Sequence, residues 1–214
     1  MNSLSAPLTQ RSRPLTARGE ATLRRLLDAA EVEFAERGFH AASVSSITVR
    51  ANVSQGTFYI YFPSKEAIFG ALVDEIGHAL RKHMALAVAD DTDPLVAQRD
   101  GLEAFLDFVQ RHPGLYRIVQ ECQFVDEPAF RTYYERLAEG LSRALDRDAG
   151  TGAFAPGDGQ VRAWAIMGIG HFLGLRHCLW QQKRPGKAVM DEVMSFISEG
   201  IAAKVTVHRG ERRR

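Results

Sequence analysis

The chain has few cysteines, and their positions exclude two common ways of stabilising a fold. Cys122 and Cys178 are the two cysteines among 214 residues, and neither belongs to a CxxC pair or to a Cys/His set with zinc-ligand spacing. A disulfide framework and an ordinary structural zinc site are therefore excluded. This cysteine usage is typical of a reducing compartment and predicts a cytoplasmic location.

The sequence also has little that would serve export or membrane insertion. Residues 1–15 contain no continuous apolar stretch of the signal-peptide type, so we do not expect secretion. The most apolar segment, residues 161–180, is interrupted by two arginines and two histidines. Because charges within a membrane span are costly, this segment is predicted to be a buried helix, and no membrane partner is expected.

A strong net charge is missing as well. The chain has 27 Lys and Arg against 26 Asp and Glu, a net charge of +1, which excludes binding to nucleic acid by overall charge alone. The distribution is uneven, however, because residues 1–25 carry five arginines and one glutamate, and residues 43–65 contain Arg50 and Lys65 but no acid. We therefore expect a locally positive N-terminal third.

What the sequence has instead is helical periodicity along nearly its whole length. Apolar residues recur every three or four positions, and no run alternates as a β-strand would. An all-α fold is therefore predicted. In the first part of the chain we expect a helix from Leu23 to a stop at Gly38, short helices over 43–51 and 54–62, and a long helix after Ser64. In the second part we expect a helix from Leu95 to about 112, one over 114–123, and one from Glu127 to a stop at Asp148. Two further helices are expected over 160–181 and 187–207.

The two short helices around Asn52 have the pattern of a helix-turn-helix. Ser43 and Ser54 can each cap a first turn, and Asn52 between them suits a left-handed turn. At about 100° per residue, Gly56 and Ile60 lie opposite the apolar side of the second helix. That apolar side and the matching side of the first helix consist of Val44, Ile47, Ala51, Phe58 and Phe62.

The outward side of the second helix suits a DNA groove. Gly56 would let the backbone come close, Ile60 can touch a thymine methyl, and Gln55 can pair with an adenine edge. Hydroxyls and a charge that can contact phosphates are supplied by Thr57, Tyr59, Tyr61 and Lys65. The alternative interpretation is that these are ordinary first-turn residues and half-buried tyrosines.

Over about residues 20–70 the sequence resembles the tetracycline-repressor family of bacterial regulators. The resemblance rests on Phe34-Ala35-Glu36-Arg37-Gly38-Phe39, on Val44-x-x-Ile47 and on Val53-Ser54-x-Gly56-Thr57-Phe58-Tyr59-x-Tyr61-Phe62-x-Ser64-Lys65-Glu66. Two positions depart from the family pattern, Asn52 where glycine is usual and Thr48 where alanine is common. Asparagine also tolerates a left-handed turn, so Asn52 weakens the match little.

The resemblance implies a homodimer on double-stranded operator DNA, with an N-terminal three-helix helix-turn-helix domain and a larger helical domain for ligand binding and dimerisation. The expected division is a basic arm (1–19), the DNA-binding domain (20–65), the ligand-binding and dimerisation domain (66–208) and a basic tail (209–214). The arm and the tail either add DNA contacts or merely aid solubility. The implied DNA-binding residues are Ser43, Ser45, Arg50, Gln55, Gly56, Thr57, Tyr59, Ile60, Tyr61 and Lys65.

The second half of the chain carries candidates for a dimer interface and a ligand cavity. The last two predicted helices are the expected interface. Gly168, Gly170 and Gly174 each cost about 1 kcal/mol against alanine inside a helix, which indicates a close helix–helix approach, with space for a ligand or a kink as the alternative. The expected ligand-binding residues, chosen from an aromatic-rich stretch with polar neighbours, are Phe105, Tyr116, Gln120, Tyr134, Trp164 and His171.

Two further hints concern the effector and the chemistry. Residues 111–119 resemble the ligand-domain sequence of a branch of the family in which some members respond to lipid-derived or acyl-thioester effectors. The histidine pairs 78/83 and 171/177 do not share a helix face, and no GxSxG or glycine-rich phosphate loop is present, so no catalytic residue, metal or cofactor is expected.

The sequence therefore predicts a ligand-responsive DNA-binding regulator, most simply a repressor that leaves a palindromic operator when a small apolar effector binds. An all-helical enzyme or hydrophobic-ligand carrier without DNA binding is the alternative. A purely structural helical adaptor is a third possibility, but it leaves the outward side of residues 55–61 unexplained.

Overall fold

The computed structural model describes residues 16–88 and 93–201. These residues form nine α-helices and one π-helical segment and contain no β-strand, which confirms the all-α prediction. The helices are α1 (Ala17–Ala41), α2 (Val44–Ala51), α3 (Gln55–Tyr61), α4 (Lys65–Val88), α5 (Pro94–Arg111), α6 (Pro113–Val125), α7 (Glu127–Gly150), α8 (Gly159–Leu173) and α9 (Lys187–Ile201), with the π-helical segment at Gly174–Trp180 between α8 and α9. Residues 1–15 of the predicted arm and the whole predicted tail lie outside the described residues.

The described chain divides into two compact units. The first contains residues up to Leu80 together with His112–Tyr134, and the second contains Arg81–Arg111 and the chain from Glu135 onward. The divisions fall inside α4, between α5 and α6, and inside α7. The expected boundary between residues 65 and 66 separates a DNA-binding function from ligand binding and dimerisation, which these compact units do not test. It stays a prediction.

The first unit is built around aromatic side chains. The Phe69 ring lies 5.0 Å from the rings of both Phe34 and Phe39, in edge-on arrangements that aromatic pairs favour. Phe58 and Phe62, the predicted anchors of α3, are 0% and 2% exposed. Burial of these rings fixes α1, α3 and the start of α4 in one core.

In the second unit α8 and the π-helical segment pack closely against α5. A Cβ atom on Gly170 would lie 3.1 Å from Leu102 Cδ1, and one on Gly174 would lie 3.5 Å from Phe105 Cε1. A Cβ atom on Gly168 would meet nothing within 4 Å. The close approach indicated by the sequence therefore exists at Gly170 and Gly174, and it is made with α5 of the same chain.

The end of α8 differs from the prediction. The expected single helix over 160–181 changes at Gly174 to a π-helical turn, in which the Gln181 N–H donates to the Arg176 carbonyl at 3.1 Å. The apolar spacing gave no sign of this change, since π-helical turns are rare and occur mostly as single turns within α-helices. The helix before it, α7, also runs past the predicted stop at Asp148 to Gly150.

Candidate nucleic-acid interface

The helix α2 is fixed at both ends by its own sequence. At its start the Ser43 hydroxyl accepts from the Ser46 N–H at 3.0 Å, and the Ser43 N–H donates to the Ser46 hydroxyl at 3.1 Å. At its end Asn52 takes the left-handed conformation, with φ 53° and ψ 52°. Both predictions, the serine cap and the asparagine turn, are confirmed. The turn sets the direction in which the chain enters α3.

The helix α3 is short and depends on its cap and its anchors. The Ser54 hydroxyl accepts from the Thr57 N–H at 3.1 Å, which satisfies one of the amides that the first turn leaves without a partner. Phe58 and Phe62 hold its inner side in the core. Seven residues are few for an independent helix, so its stability comes from these tertiary contacts.

The outer side of α3 is exposed as the sequence predicted. Gln55 and Gly56 are exposed, and Tyr59 and Ile60 keep 55% and 72% of their surface in solvent. Thr57 and Tyr61 are half-buried at the edge of this surface. We call the exposed surface of α3 the reading face. It contains both apolar and polar side chains and no charged one.

Sequence reasoning overlooked one exposed apolar residue of α2. Val49 in α2 is 77% exposed, although it has the chemistry of a core residue. Its position on the helix could have revealed it, because Val49 lies about 160° around α2 from Ala51. Ser43, the cap before α2, and Ser45 within α2 were both expected to contact DNA, and both are exposed.

Arg50 is held by two acids of α1. Its Nε donates to Glu33 Oε1 at 2.8 Å, and its Nη2 donates to Glu36 Oε2 at 3.1 Å. The Glu33 carboxylate is 3% exposed and also lies 3.3 Å from Arg37 Nε. The Ser46 hydroxyl and the Arg50 guanidinium lower the pKa of Glu33. Arg50 therefore ties α2 to α1.

Lys65 is likewise occupied inside the first unit. Its Nζ donates to the carbonyl oxygens of Phe39 and Ala42 at 2.7 and 2.9 Å, and it lies 4.1 Å from the centre of the Phe39 ring. These contacts satisfy carbonyls at the end of α1, where a helix leaves them without partners. They assign Lys65 a structural role beside the phosphate contact expected from the sequence.

The six expected ligand-binding residues fall into both units. In the first unit, Tyr116 is buried, and the Gln120 Nε2 donates to Tyr134 Oη at 3.1 Å. Burial raises the pKa of Tyr134. In the second unit, Phe105 faces the glycines of α8 and the π-helical segment, Trp164 is 48% exposed, and burial lowers the pKa of the half-buried His171.

The second unit contains a cavity of about 350 Å³ that none of these six residues lines. Its walls come from α5, α9 and the segment between the π-helix and α9, namely Arg99, Glu103, Leu106, Arg184, Pro185, Lys187 and Met190. Its cations are already paired: Arg99 Nη2 lies 2.8 Å and Lys187 Nζ 2.6 Å from Asp191, and Arg184 Nη1 lies 3.3 Å from Asp107. Among the described residues no group of His, Cys, Asp or Glu is placed to hold a metal ion.

A capped first helix, a left-handed turn and a short second helix with an exposed reading face define a helix-turn-helix protein. Residues 26–72 match the sequence model of the bacterial regulatory proteins of the tetR family. The match assigns this N-terminal domain to the family.

Individual relatives extend the similarity beyond the N-terminal domain. The chain is 32% identical over 129 residues to the HTH-type transcriptional activator FasR of Mycolicibacterium smegmatis, an alignment that covers 58% of this chain and 59% of FasR. Among solved structures, the fatty acid degradation regulator FadR from Bacillus halodurans superposes with a TM-score of 0.73 at 20% identity, covering 86% of this chain and 96% of that one. AibR, solved in complex with isovaleryl coenzyme A and operator DNA, superposes with a TM-score of 0.64 at 16% identity, covering 82% and 97%. At these identities the two solved structures establish a shared fold.

In the part of the chain that the structure describes, no helix is both long and apolar enough to cross a membrane.

Proposed function

We propose that the protein is a DNA-binding transcriptional regulator that acts as a homodimer and represses from a palindromic operator until a small apolar effector binds. The observation that carries this proposal is the reading face, where Gln55, Gly56, Tyr59 and Ile60 are exposed on a helix that is rigidly capped and anchored. A helix that merely meets water rarely exposes such side chains. The DNA-binding role also implies the cytoplasm as the working compartment.

Each predicted DNA-binding residue has a task in this proposal. Gln55 reads an adenine edge, Gly56 admits the backbone to the groove, and Ile60 contacts a thymine methyl. Hydroxyls on and around α3 contact phosphates and thereby fix the position of α3 on the duplex. The residues with this role are Ser43, Ser45, Thr57, Tyr59 and Tyr61. Arg50 and Lys65 contribute by holding the frame, with a phosphate contact as a second role.

A dimer interface is supported by exposed apolar side chains on α8 and α9. Val161, Trp164 and Phe172 are 67%, 48% and 69% exposed, and their spacing places them with Gly168 on one side of α8. Phe196 on α9 is 72% exposed. We call these five residues the C-terminal apolar face. Since a two-fold dimer reads two half-sites, a second copy of the chain is the occupant that fits the proposal.

For the effector we propose a compound with a small apolar acyl group, such as an acyl thioester. AibR was solved with isovaleryl coenzyme A, and FadR is named as a regulator of fatty acid degradation. The candidate contact residues keep their predicted roles: Tyr116, Gln120 and Tyr134 in the first unit, and Phe105, Trp164 and His171 in the second. By binding better to the conformation with wrongly spaced α3 helices, the effector would shift the protein off DNA.

The test is a selection of bound duplexes from a random DNA pool, followed by affinity measurements with Gln55→Ala. We expect a palindromic sequence, strong salt dependence and, for the variant, a loss of about 1 to 3 kcal/mol in discrimination at one base pair of each half-site. Isovaleryl and longer acyl coenzyme A esters, added one at a time, should release the selected duplex, with free coenzyme A as the control.

Two results would contradict the proposal. Enrichment of no sequence at low salt would favour the helical carrier or enzyme, particularly if acyl esters still bound. If Gln55→Ala kept the base preference of wild type, the reading face would not be the surface that recognises bases, although the protein would still bind DNA.

A further inference from the structure

The end of α1 is a sharp corner that determines how the chain enters α2. Gly38 has φ 75° and ψ 166°, so the helix breaks there, and one further turn leads to Ala42 and the capped start of α2. This α1–α2 corner, residues 38–42, is the covalent link between α1 and the helix-turn-helix. Its geometry therefore sets the position of α2 and of the reading face.

The corner is held by a carboxylate from far along the sequence. The Phe39 N–H donates to Glu121 Oε2 at 2.8 Å, a contact between α1 and α6 that spans 82 residues. Glu121 is half-buried, and hydrogen bonds to charged groups are stronger than those between neutral ones. Glu121 is thus a specific polar contact at the break itself.

The glycine at the break makes room for this carboxylate. A Cβ atom at Gly38 would lie 3.2 Å from Glu121 Oε1, closer than ordinary contact. The positive φ of Gly38 independently favours glycine at the same position. The corner therefore has room for the Glu121 side chain. On its other side, Lys65 Nζ donates to the carbonyl oxygens of Phe39 and Ala42.

The residue before Glu121 belongs to the proposed effector site. Gln120 donates to Tyr134 on α7, which is an expected ligand contact, and the next residue, Glu121, accepts from the α1–α2 corner. Both contacts are therefore made by the same turn of α6.

We infer that Glu121 is a positioning residue for DNA recognition, which holds the α1–α2 corner through the Phe39 amide and thereby keeps the reading face in its DNA-competent orientation. This inference rests on the proposed function. It assigns α6 a direct contact with the corner that leads into the helix-turn-helix.

The test compares Glu121→Ala and Glu121→Gln with Glu127→Ala, which removes a negative charge from an exposed ion pair with Arg131 in the same unit. Three quantities are measured: affinity for the selected operator, affinity for a scrambled duplex of equal length, and hydrogen exchange of the Phe39 amide. We expect Glu121→Ala to bind operator about 10-fold more weakly than wild type, with unchanged affinity for the scrambled duplex and faster exchange at Phe39. Glu121→Gln keeps an acceptor oxygen and should restore most of the affinity and protection, and Glu127→Ala should match wild type.

The outcomes separate this inference from the proposed function. If wild type selects no operator, the proposed function fails before Glu121 is tested. If wild type binds its operator and Glu121→Ala binds equally well, Glu121 positions nothing. Equal losses for operator and scrambled duplex, together with a lowered Tm, would show that the residue supports only folding and would overturn the inference.

Discussion

At the scale of single residues, the two cations of residues 43–65 are used mainly inside the protein. Arg50 lies against Glu33 and Glu36, and Lys65 lies against two backbone carbonyls. The sequence marks both as cations in a segment without acids, but it does not show that acids of α1 reach across to α2. Long-range ion pairs of this kind depend on the fold and cannot be read from local spacing.

Glu33 makes the stability of this part pH-dependent. The Ser46 hydroxyl and Arg50 lower its pKa in the folded protein, so the ionised carboxylate stabilises the fold above the unfolded pKa of about 4.3. This contribution is lost as the pH falls through the lowered folded value. We therefore expect Glu33→Gln to have a lower free energy of unfolding than wild type at pH 7, and the difference to shrink steadily below about pH 4.5.

Urea unfolding at a series of pH values measures this difference. Glu36→Gln is the matched control, because Glu36 contacts the same arginine but its side chain is 57% exposed, where an ion pair contributes little. A difference between wild type and Glu33→Gln that stays constant down to pH 2 would contradict the assignment.

At the scale of elements, helical periodicity predicted the order of the helices and the inner and outer sides of α3. Ser43, Asn52 and Ser54 were informative because capping and left-handed turns depend on local chemistry. The π-helical turn at Gly174 and the packing of Gly170 on α5 were not predictable, since both depend on which helix faces which. For the same reason the contact between Glu121 and the α1–α2 corner could not be predicted, whereas the exposure of Val49 follows from its position on α2.

The helix α3 is short enough that its cap should decide both its stability and its DNA binding. Removing the hydroxyl in Ser54→Ala leaves the Thr57 amide unsatisfied and should cost about 1 kcal/mol of unfolding free energy. Ser54→Asp keeps a capping oxygen and should retain the stability of wild type, but its negative charge faces DNA phosphates. We expect the alanine variant to lose stability and some affinity, and the aspartate variant to lose affinity alone.

Thermal unfolding and operator binding, measured side by side, separate the two effects. If Ser54→Asp bound operator as tightly as wild type, the start of α3 would lie away from the phosphates, and the proposed docking of the reading face would be wrong.

At the scale of the whole molecule, the proposed function makes the C-terminal apolar face and the reading face depend on each other. One α3 helix contacts too few base pairs for regulatory specificity, and two copies in a fixed arrangement read two half-sites about one helical turn apart. An exposed tryptophan, phenylalanines and a valine on α8 and α9 are costly on a monomer and useful in a dimer. The dimer interface should therefore be a condition for operator binding.

Phe172→Glu and Phe196→Glu test this dependence. In a two-fold interface each substitution buries its charge twice, so we expect the dimer Kd to rise by at least roughly 100-fold. Light scattering after size exclusion should then find monomers at micromolar concentration, and operator affinity should fall to the level of a scrambled duplex. Phe124→Glu is the matched control, because Phe124 on α6 is 83% exposed but lies outside the C-terminal apolar face. Monomeric variants that still bind operator at full strength would show that specific recognition needs one copy, and dimeric variants would show that another surface joins the two copies.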